Sequence, residues 1–272
     1  MRKVPFIALA LLGLCVPSAR ALDIKNVRST YGPFGSVRAD NKLLQGDVLF
    51  LSFDIVDVKV EANSGLVRYK NQLEVLDAKG KAVFKRETSN QRGLYLGGAR
   101  LPERAQVVTG ADQPPGKYTV RLTVTDVASK DTKGNFSSKA FTYEFELLPA
   151  ALGLIHVNAP SIGVTNQEYT ATMALVGFAR DDKKMLSIEI RTRILDDKNQ
   201  PTMAKPLILS LPAELPKDFE VKTASLIPLP MGLYLNRSGR FTVEITAEDA
   251  VSKKSAKVTF PLVVLDTSAV GG

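Results

Sequence analysis

Residues able to do chemistry are few in this chain, and they are scattered. Nucleophilic catalysis of the Ser-His-Asp kind needs an imidazole held between a hydroxyl and a carboxylate. The sequence holds one histidine, His156. No G-x-S-x-G turn raises a serine beside it, so His156 reads as a packing or surface residue of a joint. Cys15 is the only cysteine and falls in an expected leader, which rules out a thiolate nucleophile or a Cys₂His₂-type metal site in the processed chain. Loops that cradle phosphate, G-x-x-x-x-G-K-S/T or G-x-G-x-x-G, do not occur. The sequence therefore assigns no catalytic residue, no cofactor site and no metal site, and the expectation is a protein that is not an enzyme.

Carboxylates are the remaining candidates. Asp181-Asp182 and Asp196-Asp197 stand at expected turns, where Asp is favoured because its side chain bonds the local backbone. Asp126 and Asp249 close two similar segments. Calcium at such strand ends would need several oxygens converging; no D-x-D-x-D-G loop supplies them, and a structural turn is the simpler role. Nothing singles out a glycosidase pair. Among aromatics, Gly93-Leu94-Tyr95-Leu96 returns as Gly232-Leu233-Tyr234-Leu235, each in a loop-rich stretch. A tyrosine flanked by leucines outside clear strands can anchor a partner or cap the open end of a core. Tyr95 and Tyr234 are the candidate binding residues. Asn135-Phe136-Ser137 and Asn236-Arg237-Ser238 are sequons, meaningful only in a host that glycosylates.

The elements that must position these residues are strands. Residues 116–126, G-K-Y-T-V-R-L-T-V-T-D, return as residues 239–249, G-R-F-T-V-E-I-T-A-E-D. Each copy has a glycine, an aromatic two residues on, an alternating run and a closing Asp. Alternation marks a strand with one face on a core, and two copies imply two similar β units. Further strands are expected over 46–57, 66–76, from 82, 105–109 and 141–148. In the second half they are expected over 167–178, 186–195, 219–224, 240–247 and 257–265. Residues 23–38 read as an irregular lead-in or edge strand, 126–138 as a polar connection, and 201–230, with six prolines, as loop-rich. Residues 112–116, D-Q-P-P-G, form a rigid corner, since each proline fixes φ and lacks a donor.

About seven short strands per unit, with a Gly-x-aromatic strand near the end, resemble the immunoglobulin-like or fibronectin-III-like β-sandwich. Residues 112–120, D-Q-P-P-G-K-Y-T-V, are similar to repeats of secreted bacterial proteins without an assigned activity. The resemblance covers about residues 45–148 and 167–265. It implies a structural role for Gly116 and Gly239, and a tyrosine corner at Tyr118, whose hydroxyl would bond nearby backbone. Phe241 takes that place in the second unit without a hydroxyl. The chain has no tryptophan, hence none of the buried core Trp of antibody-type domains.

Compartment and partners follow from composition. Arg2 and Lys3, an apolar run too short to span a bilayer, and Ala19-Arg20-Ala21 have the form of an export leader over residues 1–21. Without Arg2, Lys3 and Arg20 the charge excess falls from +8 to +5. Basic residues are interspersed with acidic ones, so no nucleic-acid stripe forms. No second long apolar stretch would span a membrane after cleavage. The expectation is an all-β protein of two tandem immunoglobulin-like antiparallel β-sandwich domains, 22–149 and 150–272, secreted or periplasmic. It would bind a protein or glycan, or serve structurally, without a cofactor. Two other readings stand beside it: a periplasmic chaperone that lends a strand to its client, and a carbohydrate-binding accessory module.

Overall fold

The structure, a computed structural model, describes residues 22–130, 133–213, 215–216 and 218–267. The expected leader, 1–21, lies outside them, as does nearly all of the expected tail from 267. Among the described residues the regular structure is all strand, with no α-helix.

Nine strands come first: β1 (Asp23–Tyr31), β2 (Ser36–Val37), β3 (Lys42–Leu44), β4 (Val48–Val56), β5 (Leu66–Leu76), β6 (Ala82–Gly93), β7 (Arg100–Val108), β8 (Gly116–Lys130) and β9 (Phe136–Leu148). They form a four-stranded sheet, β2-β1-β4-β7, and a five-stranded sheet, β3-β9-β8-β5-β6. Eight follow: β10 (Gly153–Asn158), β11 (Ile162–Val164), β12 (Gln167–Val176), β13 (Ile188–Leu195), β14 (Leu207–Leu211), β15 (Leu226–Leu235), β16 (Gly239–Asp249) and β17 (Lys254–Leu265). These make a three-stranded sheet, β10-β12-β15, and a five-stranded sheet, β11-β17-β16-β13-β14. With β2 set aside, the two strand orders correspond one for one. In each, a short strand (β3 or β11) pairs in parallel with the last (β9 or β17). The repeated Gly-x-aromatic signature opens β8 and β16, which hold the same place in the two sets.

Alternation explains the layers. In β7, Leu101, Glu103, Ala105 and Val107 are buried while Pro102, Arg104, Gln106 and Val108 are exposed. Inward faces of paired sheets close on one another as in a sandwich. The buried apolar side chains fall into two clusters, one around Phe53, Tyr69, Leu122 and Phe145, the other around Leu175, Ile227, Ile245 and Phe260.

One residue crosses between them. Tyr31, at the end of β1, packs in the second cluster, its ring edge-on to Phe260 with centroids 6.2 Å apart. Hydrogen bonds fix the crossing: Ala159 N donates to Tyr31 O at 3.0 Å and Ser36 N to Ala159 O at 2.8 Å. The Ser36 hydroxyl donates to Pro261 O at 2.6 Å. Gly35 is needed here, because a Cβ would lie 2.0 Å from Tyr31 O and 2.7 Å from Ala159 O.

The structure corrects several expectations. The lead-in, read as irregular or as an edge strand, is strand β1, paired with β4 with a register shift between Lys25 and Arg28 and with only the short β2 beyond it in the sheet. β6 continues to Gly93, through residues read as irregular, and β7 begins at Arg100, well before the short strand expected over 105–109. β8 and β9 extend to Lys130 and from Phe136, into the expected polar connection. Residues 219–224 hold turns rather than a strand. The strands of that region are β14 and β15, and β15 runs through Pro228 and Pro230. Both prolines are tolerated because β15 is the edge of its sheet, where a missing N–H costs no ladder bond.

Candidate binding surfaces

His156 lies at the crossing between the two strand sets. Its backbone N donates to Asp47 Oδ1 at 2.9 Å, and its Nε2 lies 2.7 Å from Gly46 O. The backbone there takes a positive φ of 53°, uncommon for a residue with a side chain. Asp47 is engaged on both oxygens: Oδ1 also accepts from Val48 N, and Oδ2 from Arg38 Nη1 at 3.0 Å. The Arg38 guanidinium in turn lies 5.4 Å from the Tyr31 ring centre. The imidazole thus meets a carbonyl, and the neighbouring carboxylate serves backbone and Arg38; the grouping ties chain segments together.

Asp126 and Asp249 are both buried and do matching work. Asp126 accepts from Lys59 N and Ala128 N, each at 2.8 Å. Asp249 accepts from Ala179 N at 2.8 Å, Val251 N at 2.9 Å and the Ser252 hydroxyl at 2.7 Å. Each pins the segment after β4 or β12 to β8 or β16, Asp126 four residues before the end of β8 and Asp249 at the last residue of β16. Burial alone would raise the Asp249 carboxyl, but these donors outweigh it and hold it below its ordinary value. Asp181 and Asp196 accept from backbone two and four residues on. Among the described residues, no group of three His, Cys, Asp or Glu is arranged to hold a metal.

The Tyr118 hydroxyl donates to Pro114 O at 2.7 Å, with its ring stacked on Phe145 at 5.5 Å. The two-proline corner thus supplies the acceptor that a buried phenol requires. In β16, Phe241 holds the equivalent position, half-buried, with the Arg237 guanidinium 5.2 Å from its ring centre.

Tyr95 and Tyr234 lie in different settings. Tyr95 stands on the turn after β6, 80% exposed, and the next residue, Leu96, is fully exposed. Leu94 packs against the first core. The Tyr95 ring lies over Gly93, where a Cβ would meet it at 2.2 Å. Tyr234 is in β15, not in a loop; it is 70% exposed, between buried Leu233 and Leu235. Capping of the core therefore falls to Leu94, Leu233 and Leu235, and both tyrosines face solvent. Tyr234 borders an open groove of about 610 Å³ whose wall includes Ile194, Met203, Leu207, Phe241 and Leu262.

A second cleft lies between the edge strands β6 and β7. Its polar part is lined by Asn71, Arg86, Thr88, Asn90 and Arg92 from the β5–β6 side, with Glu103 opposite. Glu103 is buried; its Oε1 accepts from Arg104 N and its Oε2 from the Tyr69 hydroxyl. Burial raises the Glu103 carboxyl above its ordinary value, and the Arg104 amide partly offsets this. Asn71 Oδ1 is buried without a partner. Sequence reasoning passed over Arg86 and Arg92. Their one signal is a run with hydrophilic residues on both faces of a strand, A-V-F-K-R-E-T-S-N-Q-R-G, which looks like a loop when read for alternation.

No protein-family model matches the chain, and no curated protein does. Solved structures with partial likeness include the dimeric latent PorU of Porphyromonas gingivalis, at 9% identity and a TM-score of 0.36, and red sea bream transglutaminase, at 8% identity and a TM-score of 0.27. The chain is covered over 92% and 90% of its length and spans only 20% and 31% of those proteins. Likeness at this level carries no statement about activity or partners.

Proposed function

We propose that this chain is an exported, non-enzymatic binding or structural protein of the cell envelope or extracellular space. In this reading, two tandem immunoglobulin-like sandwiches present loops and edges to a protein or glycan. One observation carries it: the Tyr95-Leu96 pair projects from a turn with 80% and full exposure, where it contributes little to a core. An amphipathic tyrosine beside an apolar residue suits a partner that buries both, the ring giving area at low entropic cost and the hydroxyl a hydrogen bond. The shared strand order supports the tandem reading, because loops at the ends of a sandwich vary without disturbing its sheets.

The test is a pull-down with the tagged protein from its host's envelope and secreted fractions, beside the variant Tyr95→Ala/Leu96→Ala. A partner retained by the parent and lost by the equally folded variant is the expected result. A folded parent that retains nothing beyond the bare-resin control overturns the binding role. Export is checked separately by mass spectrometry of the processed N-terminus, expected at Leu22.

A further inference from the structure

Three long strands lie at the outer edges of their sheets: β6, β7 and β15. An edge strand offers its unpaired N–H and C=O groups as a template for another chain unless something prevents it. Successive residues of a strand point these groups to opposite sides. In β7, Thr109 N bonds Asp47 O just past the strand end, so odd residues face β4 and Pro102 faces out. In β15, Asn166 N bonds Leu235 O, so odd residues face β12 and Pro228 and Pro230 face out. Both edges thus carry prolines where an incoming strand would seek an N–H donor.

The β6 edge carries none. Leu94 N bonds Gly65 O, which directs even residues of β6 toward β5. Independently, Glu146 N bonds Asn41 O, and following the unbroken registers through β9, β8 and β5 gives the same phase. Lys85, Glu87, Ser89 and Gln91 therefore point their backbone N–H and C=O outward, past the one register shift near Val75.

Charge narrows what could lie there. Lys85 pairs with Glu74, and Glu87 with Lys70. Arg86 and Arg92 form no ion pair among the described residues; they line the cleft toward β7 together with Thr88 and Asn90. Beyond Arg86 the cleft turns apolar at half-exposed Phe84 and Val83, with Val75, Val107 and Val108.

We infer that β6 is a docking edge that accepts, by strand addition, an extended acidic segment of a partner protein. The β6–β7 cleft receives every second side chain of that segment. This rests on the binding role proposed above and names its partner chemistry. Carboxylates of the added strand face Arg86 and Arg92, six positions apart or about 20 Å along the strand. An apolar side chain two positions from the first carboxylate sits against Phe84. Opposite charges on neighbouring strands attract, and the backbone bonds fix direction and register. A second copy of β6 brings the same unpaired arginines and suits the site less well.

The test uses the full chain and a fluorescein-labelled nonapeptide, Val-Thr-Glu-Thr-Thr-Thr-Thr-Thr-Glu, with its reversed sequence to cover both strand directions. A control replaces both Glu by Lys. Saturable anisotropy is expected for one acidic peptide and not for the control. Ser89→Pro, which removes an outward N–H and leaves the β5 ladder intact, weakens binding about tenfold. Arg86→Glu/Arg92→Glu, on side chains outside the core, weakens it similarly and keeps the test decisive if Ser89→Pro does not fold. The inference is overturned by no saturable binding to folded protein, by binding indifferent to both variants, or by equal binding of the lysine peptide. A concentration-dependent dimer in sedimentation that Ser89→Pro abolishes also overturns it, since a second copy then occupies the edge. A pull-down partner retained equally by parent and Ser89→Pro would leave the binding role standing and remove β6 from it.

Discussion

Gly116 and Gly239 open equivalent strands with φ of +146° and +144°, a region that L side chains avoid. A Cβ at Gly116 would meet nothing within 4 Å, so the cost of Gly116→Ala is backbone strain alone, about 1–3 kcal/mol, read as a lower urea midpoint. Tyr118→Phe keeps the ring stack and loses the bond to Pro114 O, costing about 1 kcal/mol in the same assay. Asp249 predicts an acid limb. Its folded value lies below the ordinary 3.8, so its contribution is present above that pH and is lost as pH falls through the lower folded value. Asp249→Asn should be less stable than the parent at pH 7, with the gap closing below about pH 4; an unchanged gap would refute the assignment. Tyr118 was legible because its spacing from Gly116 and the two prolines is local. His156 was legible as a residue of the joint, but its partners were not, because Gly46 and Asp47 lie 110 and 109 residues away.

Strands with one buried face could be read directly: β5, β8, β16 and β17 carry period-two alternation against a core. β6 was cut short because a strand that overhangs the sandwich buries neither face. β15 was missed because prolines mark breaks when edge and centre cannot be told apart. The same prolines support a prediction at this scale. Pro228→Thr/Pro230→Thr restores two outward N–H donors without touching the β12 ladder. The variant should keep its unfolding midpoint within about 1 kcal/mol and gain concentration-dependent self-association in sedimentation. If it stays monomeric at all concentrations, the prolines are not what guards that edge.

Across the whole molecule, the repeat was visible in two similar segments, whereas the joint arises from pairs that no local pattern connects, such as Ser36 with Pro261. Tyr31 belongs by sequence to the first strand set and by packing to the second core. Tyr31→Ala should cost about 3 kcal/mol, as deletion of a large buried ring does. It should also split a single calorimetric transition into two, because the hydrogen bonds that remain span few residues; one sharp transition in the variant would show that the halves are coupled elsewhere. The joint has a further consequence for avidity. A partner that touches both halves meets surfaces already held in register, with no flexible linker to order on contact. Its second contact forms as an intramolecular event, at an effective concentration on the order of millimolar or above, and only for ligands whose repeat matches the fixed separation. Two individually feeble contacts then act as a ruler.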